Sequence, residues 1–193
     1  MSLKDIKINA EYLDVLDEDG KATGTRKTKE EIHSLGDWHG TVQVWLINSN
    51  GEILMQKRSE LKTSRPGKWD NSCAGHISAG ESALCAAARE LEEELGINIK
   101  TEEFEHLYTL KTKQIEHNGK FINHQFNNTF LVKLDIDIDD IRLQEEEVSE
   151  VKFIHHSELE KHFRNETMDL DFYPDFYNYE INKLFEEIRK RLK

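Results

Sequence analysis

The chain has 193 residues, with 37% apolar and 33% charged side chains and a formal net charge of −12. That is enough sequence for one globular domain to bury a core without staples. The acidic balance argues against a generic nucleic-acid surface, no run reaches the roughly 20 apolar residues of a membrane span, and two cysteines, Cys73 and Cys85, make no disulfide framework. Met1 to Asp5 lacks the apolar core of a signal peptide, so the expected setting is cytoplasmic.

In chain order, Glu11 to Leu16 alternates and meets the turn cluster Asp17-Glu18-Asp19-Gly20, which predicts a hairpin continuing through Lys21 to Arg26. Thr28 to Glu31 starts a short helix leading to His33. Thr41 to Asn48 and Glu52 to Arg58 read as strands around the turn Ser49-Asn50-Gly51. Thr63 to Lys68 is a loop broken by Pro66 and Gly67, and Asn71 to His76 is short and extended. Glu81 to Leu95 is the strongest helix, stopped by Gly96. Phe104 to Thr112 and Phe121 to Leu134 are long strands around His117-Asn118-Gly119. An acidic loop, Asp135 to Asp140, precedes a strand at Val151 to His155 and a short helix at Ser157 to Phe163. Asp175 to Leu192 keeps helical spacing through Ile181, Leu184, Phe185, Ile188 and Leu192. Sheet, helix, sheet, helix predicts an α+β single domain of helices packed on a mixed sheet. Its parts are an N-terminal β-hairpin extension over 1–40, a core over 41–160 and a C-terminal helical tail over 161–193.

The central helix carries the chemistry. At about 100° per residue, Glu93 falls roughly −60° and Glu94 roughly +40° from Glu90, so three carboxylates share one face. Leu84, Ala88, Leu91 and Leu95 make the adjacent core face. Like charges this close repel. Arg89, four residues before Glu93, offers one cation; a hard divalent ion such as Mg²⁺ or Mn²⁺ would balance the rest.

The full spacing is Gly75, five residues, Glu81, seven residues, then Arg89-Glu90-Leu91-Glu92-Glu93-Glu94-Leu95-Gly96-Ile97. It resembles the Nudix box at every defined position, a chance match on the order of 10⁻⁸ per start position. The resemblance implies an α/β/α sandwich with a mixed sheet. It implies metal binding by Glu90, Glu93 and Glu94 with the Gly75 carbonyl, an orienting Arg89 and a structural Glu81. It further implies hydrolysis of a diphosphate bond in a nucleoside diphosphate derivative or related small molecule. Metal ions let an acidic protein bind such an anion. The base that takes the proton from attacking water is either a box glutamate, Glu93, or one of Glu145, Glu146, Glu147 and Glu150. Glu147, six residues before Phe153, has the spacing most like the family's.

Flanking segments are similar to the Nudix branch that includes isopentenyl diphosphate isomerase: Trp38-His39, Val44 to Asn48, Leu54 to Arg58, Pro66 to Asp70 and Gly75-His76. The isomerase places a cysteine just before the box glycine, where this chain has Ala74. Cys73 is one residue away and so on the opposite face of an extended strand. The isomerase's later glutamate corresponds to Gln125, in Asn123-His124-Gln125. His33, His39 and His76 resemble its metal histidines but read better as hydrogen-bonding or phosphate-contacting groups without that glutamate. The expectation is therefore hydrolase, with isomerase and a non-catalytic ligand sensor as the alternatives.

Arg58, Lys62, Arg65 and Lys68 together suggest a phosphate clamp. Arg58 resembles a recurrent family position; the other three taken singly read as surface cations, with Lys68 kept as a candidate substrate contact beside His39 and His76. Trp45 reads as core, and both cysteines as small hydrophobes. The aromatic segment Phe172, Tyr173, Phe176, Tyr177 and Tyr179 suggests core packing or a homodimer contact.

Overall fold

The structure, a computed structural model, describes residues 10–116, 119, 121–165, 167–170 and 174–192. The expected turn at His117-Asn118 lies outside them, as do the side chains of the aromatic segment from Phe172 to Tyr179.

The N-terminal hairpin forms from β1 (Tyr12–Leu16) and β2 (Ala22–Thr28). Its turn is held by Asp17, whose Oδ1 accepts from the Asp19 and Lys21 amides at 2.9 Å each. Thr28 then caps α1 (Lys29–Leu35) in a reciprocal capping box with Glu31. The expected short helix runs on past His33 to Leu35 and carries that histidine.

Three long strands build the centre: β3 (Trp38–Ile47), β7 (Phe104–Glu116) and β8 (Phe121–Lys133). β3 starts at Trp38, three residues before the expected Thr41, because it pairs in parallel with β8 from Trp38↔His124 to Ile47↔Lys133. β7 pairs with β8 antiparallel. The remaining strands are β4 (Glu52–Arg58), β5 (Trp69–Asp70), β6 (Cys73–His76) and β9 (Val148–His155). β6 pairs with β3, while β5 and β9 pair with β4, so the sheet is mixed.

The box helix, α2 (Ala83–Leu95), begins two residues later than expected. Ser82 is its N-cap, and Glu81 is drawn into the preceding turn, where it accepts from the Ser78 amide. Gly96, at φ 67°, closes the helix by donating to the Leu91 and Glu92 carbonyls. α2 packs on one sheet face over Val42, Val44, Leu46, Cys73, Phe130 and Val132. On the other face α3 (His156–Asn165) and α4 (Pro174–Arg191) pack over Trp45, Ile47 and Leu131, burying Phe163 and Phe185 completely. Each such large side chain contributes roughly 1.5–3 kcal/mol of burial. This is the expected α/β/α sandwich. No helix among the described residues is long and apolar enough to cross a membrane.

One topological detail positions the site. β3 pairs with β4 only at Ile47↔Ile53, and beyond that pair the two strands separate. A cavity of about 460 Å³ is lined from both sides of this opening.

Candidate active site

The α2 wall of the cavity presents Arg89, Glu90, Glu93 and Glu94. The helix needs close access to β6, and small residues permit it: Ala86 and Ala87 are fully buried, with Leu91 and Leu95. The core face is thus centred on Ala87 and Leu91, with Leu84 and Ala88 packed at its margin. Glu94 lies on this buried side at 6% exposure. Gly75 is the tightest point. A β-carbon there would fall within 3.0 Å of Glu90 Cδ and both its carboxylate oxygens.

Arg89 ties the cluster together. Its Nε and Nη2 donate to the Glu81 carboxylate at 3.1 and 3.0 Å, and Nη1 donates to Glu90 at 2.8 Å and Glu93 at 3.0 Å. Nη2 also donates to the His76 carbonyl at 3.0 Å, locking the helix to β6. These carboxylates keep the guanidinium charged despite its partial burial. The Glu94 carboxylate accepts from Gln56 Nε2 at 3.2 Å. Burial, followed by the nearby Glu90 charge, pushes its pKa up to about 8. Burial also raises Glu90, against the pull of Arg89.

Glu147 lines the cavity from the turn before β9, and Lys62 pairs with its carboxylate. Arg58 is on the rim, but its guanidinium donates to the Ser64 and Arg65 carbonyls at 3.0 and 3.2 Å and to Asp70 at 3.4 Å. It organises the loop that carries Lys62 and Arg65, both of which reach the cavity. Lys68 does not line it: its ammonium pairs with Asp169 at the protein's exterior. Lys68 was the expected substrate contact of this segment, but the lysine here that lines the cavity is Lys62. Both lie in one short segment, and the chain's path alone decides which turns inward.

His33, His39 and His76 come from α1, β3 and β6, and one ring nitrogen of each lies within 4.8 Å of the others. His33 Nδ1 sits 3.4 Å from the Ile122 carbonyl and His39 Nδ1 3.1 Å from that of Asp37. If Nδ1–H is donated to these carbonyls, Nε2 of His33 and of His39 keeps its lone pair, and His33 Nε2 lies 3.2 Å from His76 Nε2. His33 and His76 line the cavity, and His39 is fully buried behind them. Burial pushes the pKa of His39 down to about 4 and that of His76 well below its usual value.

Cys73 and Ala74 fall as the one-residue argument requires. Cys73 packs in the core, where burial drives its thiol pKa up, and Ala74 lines the cavity. Gln125 also lines it, beside Asn123 and Asn127. Sequence reasoning did not reach Glu11 and Lys29, which enter the wall from the N-terminal extension and pair with each other at 3.0 Å. Nor did it reach Gln56, Gln144, Thr112, Gln114 or Asn127.

The NUDIX domain family model matches residues 37–176. The chain belongs to the Nudix hydrolase family. It is 41% identical over 184 residues to Nudix hydrolase 3 of Arabidopsis thaliana, a match covering 94% of this chain and 24% of that protein. The chain therefore spans about a quarter of that relative's length. It is 33% identical to an isopentenyl-diphosphate Delta-isomerase of Serratia proteamaculans, over 63% of this chain and 65% of that one. The crystal structure of DR0079 from Deinococcus radiodurans shares the fold, with a TM-score of 0.68, 19% identity and coverage of 93% and 98%.

Nudix hydrolases generally need a divalent metal, and the residues of this Nudix domain suit one. Glu94 is a buried carboxylate with an amide partner, Glu90 is held beside it, and Gly75 leaves the space a side chain would close. A buried carboxylate beside a half-buried one is costly without a countercharge, and Arg89, the cation that pairs with Glu90, is already shared with Glu81 and Glu93.

Proposed function

We propose that this Nudix domain hydrolyses a diphosphate bond in a nucleoside diphosphate derivative or related small molecule, using Mg²⁺ or Mn²⁺. The observation that carries the reading is the buried Glu94 carboxylate with half-buried Glu90 near it at the cavity wall. Glu90, Glu93, Glu94 and the Gly75 carbonyl would hold the metal, which would polarise the phosphates and make bound water more acidic. Arg89 positions Glu90 and Glu93 through its planar fork. Glu147 lines the same cavity and takes the proton from attacking water, with Glu93 as the other candidate base. Lys62, Lys29 and Arg65 set positive charge along a cavity that must admit an anion; His76 and the buried His39 support the phosphate side. We read residues 1–193 as one domain, because Glu11, Lys29 and His33 of the N-terminal extension complete the wall.

The test is a panel of diphosphate compounds with Mg²⁺, followed by phosphate release with and without an added pyrophosphatase. Hydrolysis of at least one compound, abolished in Glu93→Gln, is expected. A Glu93→Gln protein that hydrolyses every substrate as the parent does would defeat the metal assignment.

The convergent histidines favour a second reading, an isopentenyl diphosphate isomerase. Ala74 and Gln125 at the cavity wall weigh against it, as neither side chain can move a proton to or from carbon. Incubation with isopentenyl diphosphate should give no dimethylallyl isomer.

A further inference from the structure

The sheet face that forms the cavity floor changes character along its length. On β3 the odd positions run Thr41, Gln43, Trp45, Ile47, and on β8 they run Asn123, Gln125, Asn127, Thr129, Leu131. Alternate residues of a strand share a face. At one end this face is apolar core under α3 and α4, through Trp45, Ile47 and Leu131. At the other it is amide and hydroxyl. Register makes the polar end continuous, since Thr41 pairs with Asn127 and Thr112 with Gln125.

These groups are not spent on the fold. Thr41 Oγ1, Gln43 Oε1, Thr112 Oγ1, Asn123 Oδ1 and Asn127 Oδ1 are buried with no hydrogen-bond partner. Buried polar atoms without partners are uncommon and costly, and all five residues line the cavity.

We propose that the part of the substrate that does not react is a polyhydroxylated group, such as a sugar or polyol, bound by Thr41, Gln43, Thr112, Asn123, Gln125 and Asn127. The proposal rests on the diphosphate reading above and names the class of alcohol esterified to the diphosphate. The six side chains carry no charge, and the cations stand elsewhere on the wall. Amides both donate and accept, matching the dual character of a hydroxyl. A prenyl chain would leave the same atoms buried and unpaired. A nucleobase would seek an aromatic face, and the one phenylalanine among the lining residues, Phe121, already stacks on His33 at 4.1 Å between ring centroids.

The experiment uses the full chain with Mg²⁺ and a set of P1-methyl diphosphates that differ only in the second alcohol. Ribose through its 5-hydroxyl, glucose through its 6-hydroxyl and glycerol are compared with cyclohexylmethanol and isopentenol. A site built to hydrogen-bond hydroxyls rejects analogues that lack them strongly. The best hydroxylated ester should exceed both others by about 10²-fold or more in kcat/KM. Asn127→Leu and Gln125→Met should each cut that ratio at least about tenfold. Hydrolysis of all esters within about threefold of one another would overturn the proposal while leaving the diphosphate reading intact. A binding measurement covers inactive or misfolded variants. In the unaltered protein, side-chain amide NMR signals of Asn123, Gln125 and Asn127 should shift on titration with ribose 5-phosphate and not with isopentenyl phosphate. Their shifting without turnover of any ester would keep the polyhydroxyl site and sink the hydrolase. Static signals with both ligands would sink the polyhydroxyl site.

Discussion

The Glu90 carboxylate occupies the space that a β-carbon on residue 75 would need. Gly75 and Glu90 are therefore one device: the absence of a side chain on β6 lets α2 deliver its carboxylate to the cavity. Gly75→Ala should fold, because β6 keeps its pairing with β3, but it should displace Glu90. A shift of about 1 Å at such a site costs on the order of 10²-fold in kcat/KM. Mn²⁺ binding followed by electron paramagnetic resonance, alongside kinetics, checks both halves. Unchanged metal affinity would refute the linkage.

Arg89 makes five contacts to Glu81, Glu90, Glu93 and the His76 carbonyl. Arg89→Lys keeps the charge and loses the fork. We expect a loss of about 1–3 kcal/mol in urea unfolding together with weaker Mn²⁺ binding. Stability and metal affinity both at parental levels in Arg89→Lys would show that charge alone suffices.

Lys62 and Glu147 should separate kinetically. Glu147→Gln removes a base and should lower kcat by roughly 10²–10⁴-fold with little change in KM. Lys62→Met removes a cation from the path of an anion and should mainly raise KM, more at low salt. Identical effects of the two changes on both parameters would mean that the pair acts only as a structural tie.

His39 predicts an acid limb in the stability of the metal-free protein. Its folded pKa is about 4 against 6.5 for the free side chain, burial being the main cause. Around it stand His33, His76, His124 and Lys29, none of which would favour a further positive charge. Below pH 6.5 the unfolded chain takes up a proton that the folded chain refuses, so stability falls until the pH reaches the folded value. The contribution lost is up to about 3 kcal/mol. Urea unfolding of the parent and of His39→Gln between about pH 7 and about pH 4 should show a shallower decline in the variant. Parallel curves would assign the limb to other groups.

The helix and its carboxylates were legible because their chemistry is local. Glu90, Glu93 and Glu94 lie within two turns, so helical period alone places them together. The Ser82 cap and Gly96 stop were legible for the same reason, to within two residues at the start. Cys73 and Ala74 were separated correctly by strand alternation. Lys62 and Lys68 were not, because a loop has no period, and only Arg58 gripping the Ser64 and Arg65 carbonyls shows which way it bends. The polar run Asn123, Gln125, Asn127 was visible as alternation in β8, yet nothing along the chain says that this face opens into a cavity rather than into water.

By itself the sequence determined the family, the metal-type helix and the loss of the isomerase's cysteine, since each depends on residues close together in the chain. Only the tertiary structure decided what surrounds that helix. The separation of β3 from β4, the parallel pairing of β3 with β8 and the docking of the N-terminal hairpin bring Glu11, Lys29, Lys62, Gln125 and Glu147 to one cavity. Those residues are scattered over more than a hundred positions, and long-range strand pairing, which no local pattern encodes, is what collects them.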